Sequence, residues 1–142
     1  MKLVQHLLDR KGTELISIVR DASVFDAIKL MADRGVGSLL VMDERKLIGI
    51  VTERDYARKV IIKGRSSEST EVGEIMSTDL VTATSQQTVD DCMNVMTDRR
   101  IRHLPVVDEG EVVGLISIGD LVQAIISDQQ EAISQLEQYI SG

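Results

Sequence analysis

Two stretches pair a hydroxyl residue with an aspartate three positions on, each after an apolar run that opens on a glycine. They are Gly49-Ile50-Val51-Thr52-Glu53-Arg54-Asp55 and Gly114-Leu115-Ile116-Ser117-Ile118-Gly119-Asp120. Taken singly, Ser or Thr with an acid at that spacing is a helix cap, and an aspartate in the first turn suits the helix dipole. Two copies in one register add a second chemistry. An ionised carboxylate has two oxygens that can accept from the two adjacent hydroxyls of a ribose, and capping does not prevent that. Arg54 lies inside the first motif, where a guanidinium can grip a phosphate through forked hydrogen bonds; its counterpart is Gly119. Arg58 and Lys59 follow on the same helix and read equally well as a solvated basic face.

Catalytic chemistry finds little support. His103 has no nucleophile at a telling spacing, and Cys92 falls on an apolar helix face, where a thiol is buried and inert. Asp90-Asp91 and Asp108-Glu109 fall at a helix start and a turn, with ordinary structural reasons. Gly35-Val36-Gly37 follows a helix and lacks the third glycine of a dinucleotide fingerprint, and no Walker-type loop occurs. A nucleotide here would be an effector, without the parts for phosphoryl transfer.

These residues are positioned by a repeat. A shift of 65 residues registers the two halves without a gap, starting from Val24 and Val89. Asp26 and Asp91, Met31 and Met96, Val41 and Val106, Gly49 and Gly114, and Asp55 and Asp120 all coincide. Each half predicts β-α-β-β-α. The first strands are expected at Glu14–Val19 and Leu80–Ala83. Helices follow with Val24, Ala27, Ile28 and Met31, or Val89, Cys92, Met93 and Met96, on one face. Ser23 and Thr88 stand as N-caps. Hairpins follow at Ser38–Met42 with Leu47–Val51, and at Leu104–Val107 with Val112–Ile116. A second helix begins after Thr52 and after Ser117.

The fold class is therefore α+β, two repeats at 11–62 and 72–127 related by a pseudo-twofold axis. A polar linker spans 63–71, and helical flanks span 1–10 and 128–142. Each repeat is too small to bury much apolar surface alone, so the two should pack together. The apolar faces of the flanks predict a homodimer.

The chain has 142 residues, 16 Lys and Arg against 23 Asp and Glu, and a net charge of −7, which argues against nucleic acid as a partner. Phe25, Tyr56 and Tyr139 are the aromatic residues, too few for a base-stacking platform. One cysteine and two histidines make neither a disulfide nor a zinc site. No apolar run approaches the ~20 residues of a membrane span, and polar residues interrupt the N-terminus as no signal peptide does. A cytoplasmic protein is expected.

The two motifs, with Ile101-Arg102-His103-Leu104-Pro105-Val106-Val107-Asp108 and Gly73-Glu74-Ile75-Met76, resemble a tandem pair of CBS domains, a Bateman module. The first copy departs by having Leu40 where proline is usual. The resemblance implies a non-catalytic regulatory module that binds adenosine-containing ligands in clefts between the repeats and signals to a regulated partner the sequence does not name. It implies that Asp55 and Asp120 accept from the ribose hydroxyls, with Thr52 and Ser117 beside them and Val51 and Ile116 leading in. It places Arg102, His103, Leu104 and Pro105, and likewise Gly37, Ser38 and Leu39, along the clefts. Gly37 would let a ligand approach the backbone closely. Lys11, Thr13, Glu14 and Ile16, and Met76, Asp79 and Val81, would meet the base. Arg54, Arg102 and His103 favour AMP, ADP, ATP or NAD(H) over S-adenosylmethionine. A dimeric interaction scaffold with vestigial clefts is the alternative.

Overall fold

Ser23 and Thr88 each turn an extended chain into an eleven-residue helix by the same bond, the hydroxyl accepting from the N–H of Asp26 or of Asp91 at 3.1 Å. That bond satisfies one of the orphan donors of the first turn. The computed structural model describes residues 2–12 and 14–141. Its elements are α1 (Val4–Lys11), β1 (Ser17–Ile18), α2 (Val24–Arg34), β2 (Ser38–Asp43), β3 (Lys46–Thr52), α3 (Glu53–Tyr56), α4 (Val72–Ile75), α5 (Val89–Arg99), β4 (His103–Asp108), β5 (Glu111–Ser117) and α6 (Ile118–Ser141). Helix α3 runs on into a π-helical turn at Ala57–Ile61, closed by the Ile62 N–H on the Ala57 carbonyl at 3.1 Å.

The two copies end their first helix alike. Gly35 takes the left-handed conformation after α2, and Arg100 takes it after α5, at φ +55°. A glycine meets that demand without steric cost; an arginine does not.

The chain divides into two compact units that do not follow the repeat boundaries. One comprises Glu14–Val81 with Glu109–Val112, so it takes in α4. In it, β1 pairs parallel with β2, and β2 pairs antiparallel with β3, with Ser38 opposite Thr52. Val24, Ala27 and Met31 of α2 close on Leu39, Val41 and Val51, and Val72 and Ile75 of α4 belong to the same core. The other unit takes residues 2–12, 82–108 and 113–141. Its buried set includes Val4, Leu7 and Leu8 of α1, with Val89, Cys92, Met96, Leu104, Val106, Ile116 and Leu121. Burial pushes the Cys92 thiol up to about 11, which keeps it protonated and inert.

Helices α1 and α4 are thus equivalent lead-ins. Each N-cap bridges the N-cap of a repeat helix, Leu3 to Thr88 and Glu71 to Ser23. Each N-cap N–H is held by the side chain three residues on, His6 at 3.0 Å and Glu74 at 2.7 Å. The lead-in then reaches a motif glycine. A Cβ on Gly49 would stand 2.7 Å from Met76 Sδ, and one on Gly114 would collide with Leu8.

Two expectations are corrected. The first strand of the first copy shrinks from Glu14–Val19 to Ser17–Ile18. The one expected at Leu80–Ala83 is a single parallel bridge from Ala83 to Val106, leaving a two-stranded sheet of β4 and β5. Short edge segments have few neighbours to complete a ladder, so their β-propensity does not suffice. The polar stretch 63–71 is tied to α2: the Thr70 carbonyl accepts from Val24 N–H at 2.8 Å and the Ser67 carbonyl from Phe25 N–H at 2.9 Å.

Candidate functional site: two carboxylates at helix starts

In the first unit, Thr52 ends β3 in an extended conformation and caps α3. Its Oγ1 accepts from Asp55 N–H at 3.1 Å. Asp55 Oδ2 accepts in return from Thr52 N–H at 3.0 Å and from the Thr52 hydroxyl at 3.1 Å. Lys59, one turn on, stands 3.1 Å from Asp55 Oδ1 and donates to the Ile75 carbonyl at 2.8 Å. Both oxygens of Asp55 are therefore engaged, and the residue is 8% exposed. Arg54 points outward and has no ion pair among the described residues.

In the second unit, Ser117 and Asp120 repeat the cap. Ser117 N–H donates to Asp120 Oδ2 at 2.8 Å, and Asp120 N–H to Ser117 Oγ at 3.2 Å. The cation comes from elsewhere: Lys11, at the end of α1, stands 2.7 Å from Asp120 Oδ2 and donates to the Leu115 carbonyl at 2.9 Å. Among the described residues no hydrogen bond reaches Asp120 Oδ1. Burial raises the Asp120 pKa, but the Lys11 ammonium and the Ser117 donors outweigh it and hold the carboxyl below its ordinary range. His103 is pushed below its ordinary value by burial and by Lys11, with Asp120 opposing and Arg102 adding to the depression.

The approach to each motif is the same. The Gly37 carbonyl accepts from Glu53 N–H at 3.1 Å, and the Arg102 carbonyl from Ile118 N–H at 2.8 Å. Position 38 then differs from position 103: Ser38 is buried at 2%, whereas His103 is half-buried. Leu39, Val51, Leu104, Pro105 and Ile116 are buried beneath the motifs. Ile16 is half-buried, its carbonyl accepting from Leu40 N–H at 3.2 Å. Glu14 is drawn to Arg34 instead of to a motif. Met76 packs on Gly49, Asp79 is exposed and Val81 half-buried. Thr13 lies outside the described residues.

Asp120 and Lys11 open into a groove of about 690 Å³ between α1 and α6, lined also by Lys2, His6, Arg10 and Gln123. That volume is ordinary for a small-molecule site. Lys2, His6 and Arg10 are not among the residues singled out from the sequence. The signal was available: Val4, Leu7 and Leu8 repeat the spacing of Val72, Ile75 and Met76, which marks α1 as a lead-in whose polar side flanks a motif.

The sequence matches the CBS domain twice, over residues 10–62 and 72–127. A mitochondrial CBS domain-containing protein of Arabidopsis thaliana, CBSX3, is 45% identical over 127 residues, 86% of this chain and 62% of that protein. The chain thus spans somewhat under two thirds of that relative's length. A solved structure of a CBS-domain protein from Burkholderia ambifaria is 48% identical, with a TM-score of 0.87 over 90% of this chain and 96% of that one. The CBS domain pair of protein MJ0100, solved with 5′-methylthioadenosine and S-adenosyl-L-methionine, is 26% identical, with a TM-score of 0.80 over 90% of this chain and 98% of that one. Among the described residues no helix is long and apolar enough to cross a membrane.

Proposed function

The chain belongs to the CBS-domain family, with two copies of the domain, and from that premise we propose that it is a regulatory module for an adenine nucleotide: AMP, ADP, ATP or NAD(H). Ligand binding favours one conformation over another, and a partner protein feels the difference. The module works in the cytoplasm as a homodimer.

One observation carries this reading. The same carboxylate is presented at the same helix start twice, and the Asp120 copy faces an open groove with Oδ1 unbonded among the described residues. A carboxylate held this way takes a ribose diol. Of the cations that share its groove, Lys2 and Lys11 are paired with Asp128 and Asp120, and Arg10, with no ion pair among the described residues, suits a phosphate. The related domain pair that holds 5′-methylthioadenosine and S-adenosyl-L-methionine supports the adenosine part. The phosphate part rests on this chain's own cations, Arg54 included.

The test is a thermal-shift panel of adenine nucleotides, followed by calorimetry. A ligand specific for the folded state at a hundred times its Kd adds about 2.7 kcal/mol of stability. Asp120→Ala should abolish or sharply weaken binding at that site while leaving a cooperative unfolding transition. Arg54→Ala should lower affinity for AMP more than for adenosine and flatten the salt dependence. The absence of a shift with any nucleotide at millimolar concentration would refute the sensor. It would leave the interaction scaffold, which the lysine already seated on each carboxylate favours.

A further inference from the structure

Beyond Asp128, helix α6 stops serving its own unit: every residue from 129 to 141 is exposed. Large apolar side chains are among them, Ile133 at 55%, Leu136 at 60% and Ile140 at 81%. Their order is regular. Val122, Ile126, Gln129, Ile133, Leu136 and Ile140 follow at steps of four, three, four, three and four, the seam of a heptad repeat. Ile126, Ile133 and Ile140 take the a positions; Val122, Gln129 and Leu136 take d. The flanking g positions, Ile125, Ala132 and Tyr139, carry no charge. The carboxylates of Asp128 and Glu131 fall at c and f, away from the seam. The other side of the helix, with Ser127, Glu131, Ser134 and Gln138, is polar and lines a shallow groove with Arg10.

We propose that this seam is occupied by the same helix of a second copy, parallel and in register. The proposal deepens the homodimer reading by assigning its surface. Three features select a second copy. A helix with no Lys or Arg between 118 and 141 would repel its own kind if its acids met across the contact; the one acid that borders the seam, Glu137 at e, faces an uncharged g position of the second copy instead. β-Branched residues at every a position favour two parallel strands. Gln129 is self-complementary: in a parallel pair d meets d, so its amide donates to and accepts from its twin. In an antiparallel pair it would face an isoleucine and bury an unpaired amide.

The test is sedimentation of the full chain at tens of micromolar, with the Ile133→Asp/Leu136→Asp double variant beside it. The parent should sediment as a dimer, and the variant as a monomer with its dimer at least tenfold weaker. The variant's urea midpoint should match that of the parent diluted until its dimer dissociates, because both side chains are exposed in the single chain. Gln129→Cys should form a disulfide-linked dimer under mild oxidation, whereas Glu131→Cys should not. A monomeric parent overturns the seam and the homodimer together. A variant that stays dimeric overturns the seam alone and leaves the homodimer to another face. Dissociation by the double variant without crosslinking at Gln129→Cys overturns the parallel arrangement.

Discussion

The Thr52–Asp55 and Ser117–Asp120 sites share a cap but are neutralised from different directions. Asp55 takes its lysine from its own helix, four residues on, while Asp120 takes Lys11 from the lead-in helix α1. The reason lies in the substitutions between copies. Lys59 has Ala124 as its counterpart, so the second motif helix offers no cation of its own. Helix α4 ends at Ile75, whereas α1 continues to Lys11 and delivers one. The consequence is exposure: the Asp55 side chain is 11% exposed and that of Asp120 28%. One carboxylate is built into its unit, and the other is left with an oxygen facing a groove. A duplicated motif can keep its cap and still divide its labour.

The sharpest way to break this contrast is to remove each carboxylate. Asp55→Ala strips bonds from Thr52 and Lys59 at a buried position and should cost about 2–3 kcal/mol. Asp120→Ala should cost about 1 kcal/mol, close to the loss of a cap alone. Urea denaturation decides, and equal losses would erase the distinction.

The motif glycines come next. Gly114→Ala drives a methyl against Leu8 and should cost about 2 kcal/mol. Gly49→Ala meets the flexible thioether of Met76 but also the Ser77 carbonyl oxygen at 3.1 Å, and should cost a similar amount. Leu8→Ala should suppress the Gly114→Ala defect in a double-mutant cycle; additive losses would mean that Leu8 is not what Gly114 makes room for.

Proton linkage should separate the sites more gently. His103 has a folded pKa below its unfolded value of about 6.5. Its contribution is thus complete above that pH and is lost as pH falls through the folded value. Asp120, also depressed, contributes fully above about pH 4 and loses its contribution as pH drops further. His103→Gln should flatten stability below about pH 6.5, and Asp120→Asn below about pH 4. Stability profiles that retain the parent's slope in these variants would place the titration elsewhere. The smallest effects belong to the lysines. Lys59→Ala and Lys11→Ala remove half-exposed ion pairs worth at most about 1 kcal/mol. Lys59 should cost more because its partner is the more buried, and thermal melts at low and high salt would reveal a reversed order.

Much of this molecule is local in origin, and that part was legible in the sequence. The caps at Ser23 and Thr88, the hairpins and the two aspartate motifs depend on residues within a few positions of one another. Hydroxyl-to-amide bonds and period-two alternation settle them without the rest of the chain. Weak strands are not local in this sense, which is why Glu14–Val19 kept two strand residues and Leu80–Ala83 kept only a bridge. The lead-ins are not either. Val4, Leu7 and Leu8 carry the same apolar spacing as Val72, Ile75 and Met76, and nothing in either segment says which motif glycine it will meet. Tertiary packing seats Leu8 on Gly114 and Met76 on Gly49. With that choice it decides that Lys11, remote in sequence, is the cation on Asp120. Apolar burial is non-directional and rewards area wherever it is found, so periodicity can say that a helix face will be covered, and only the folded chain says by what.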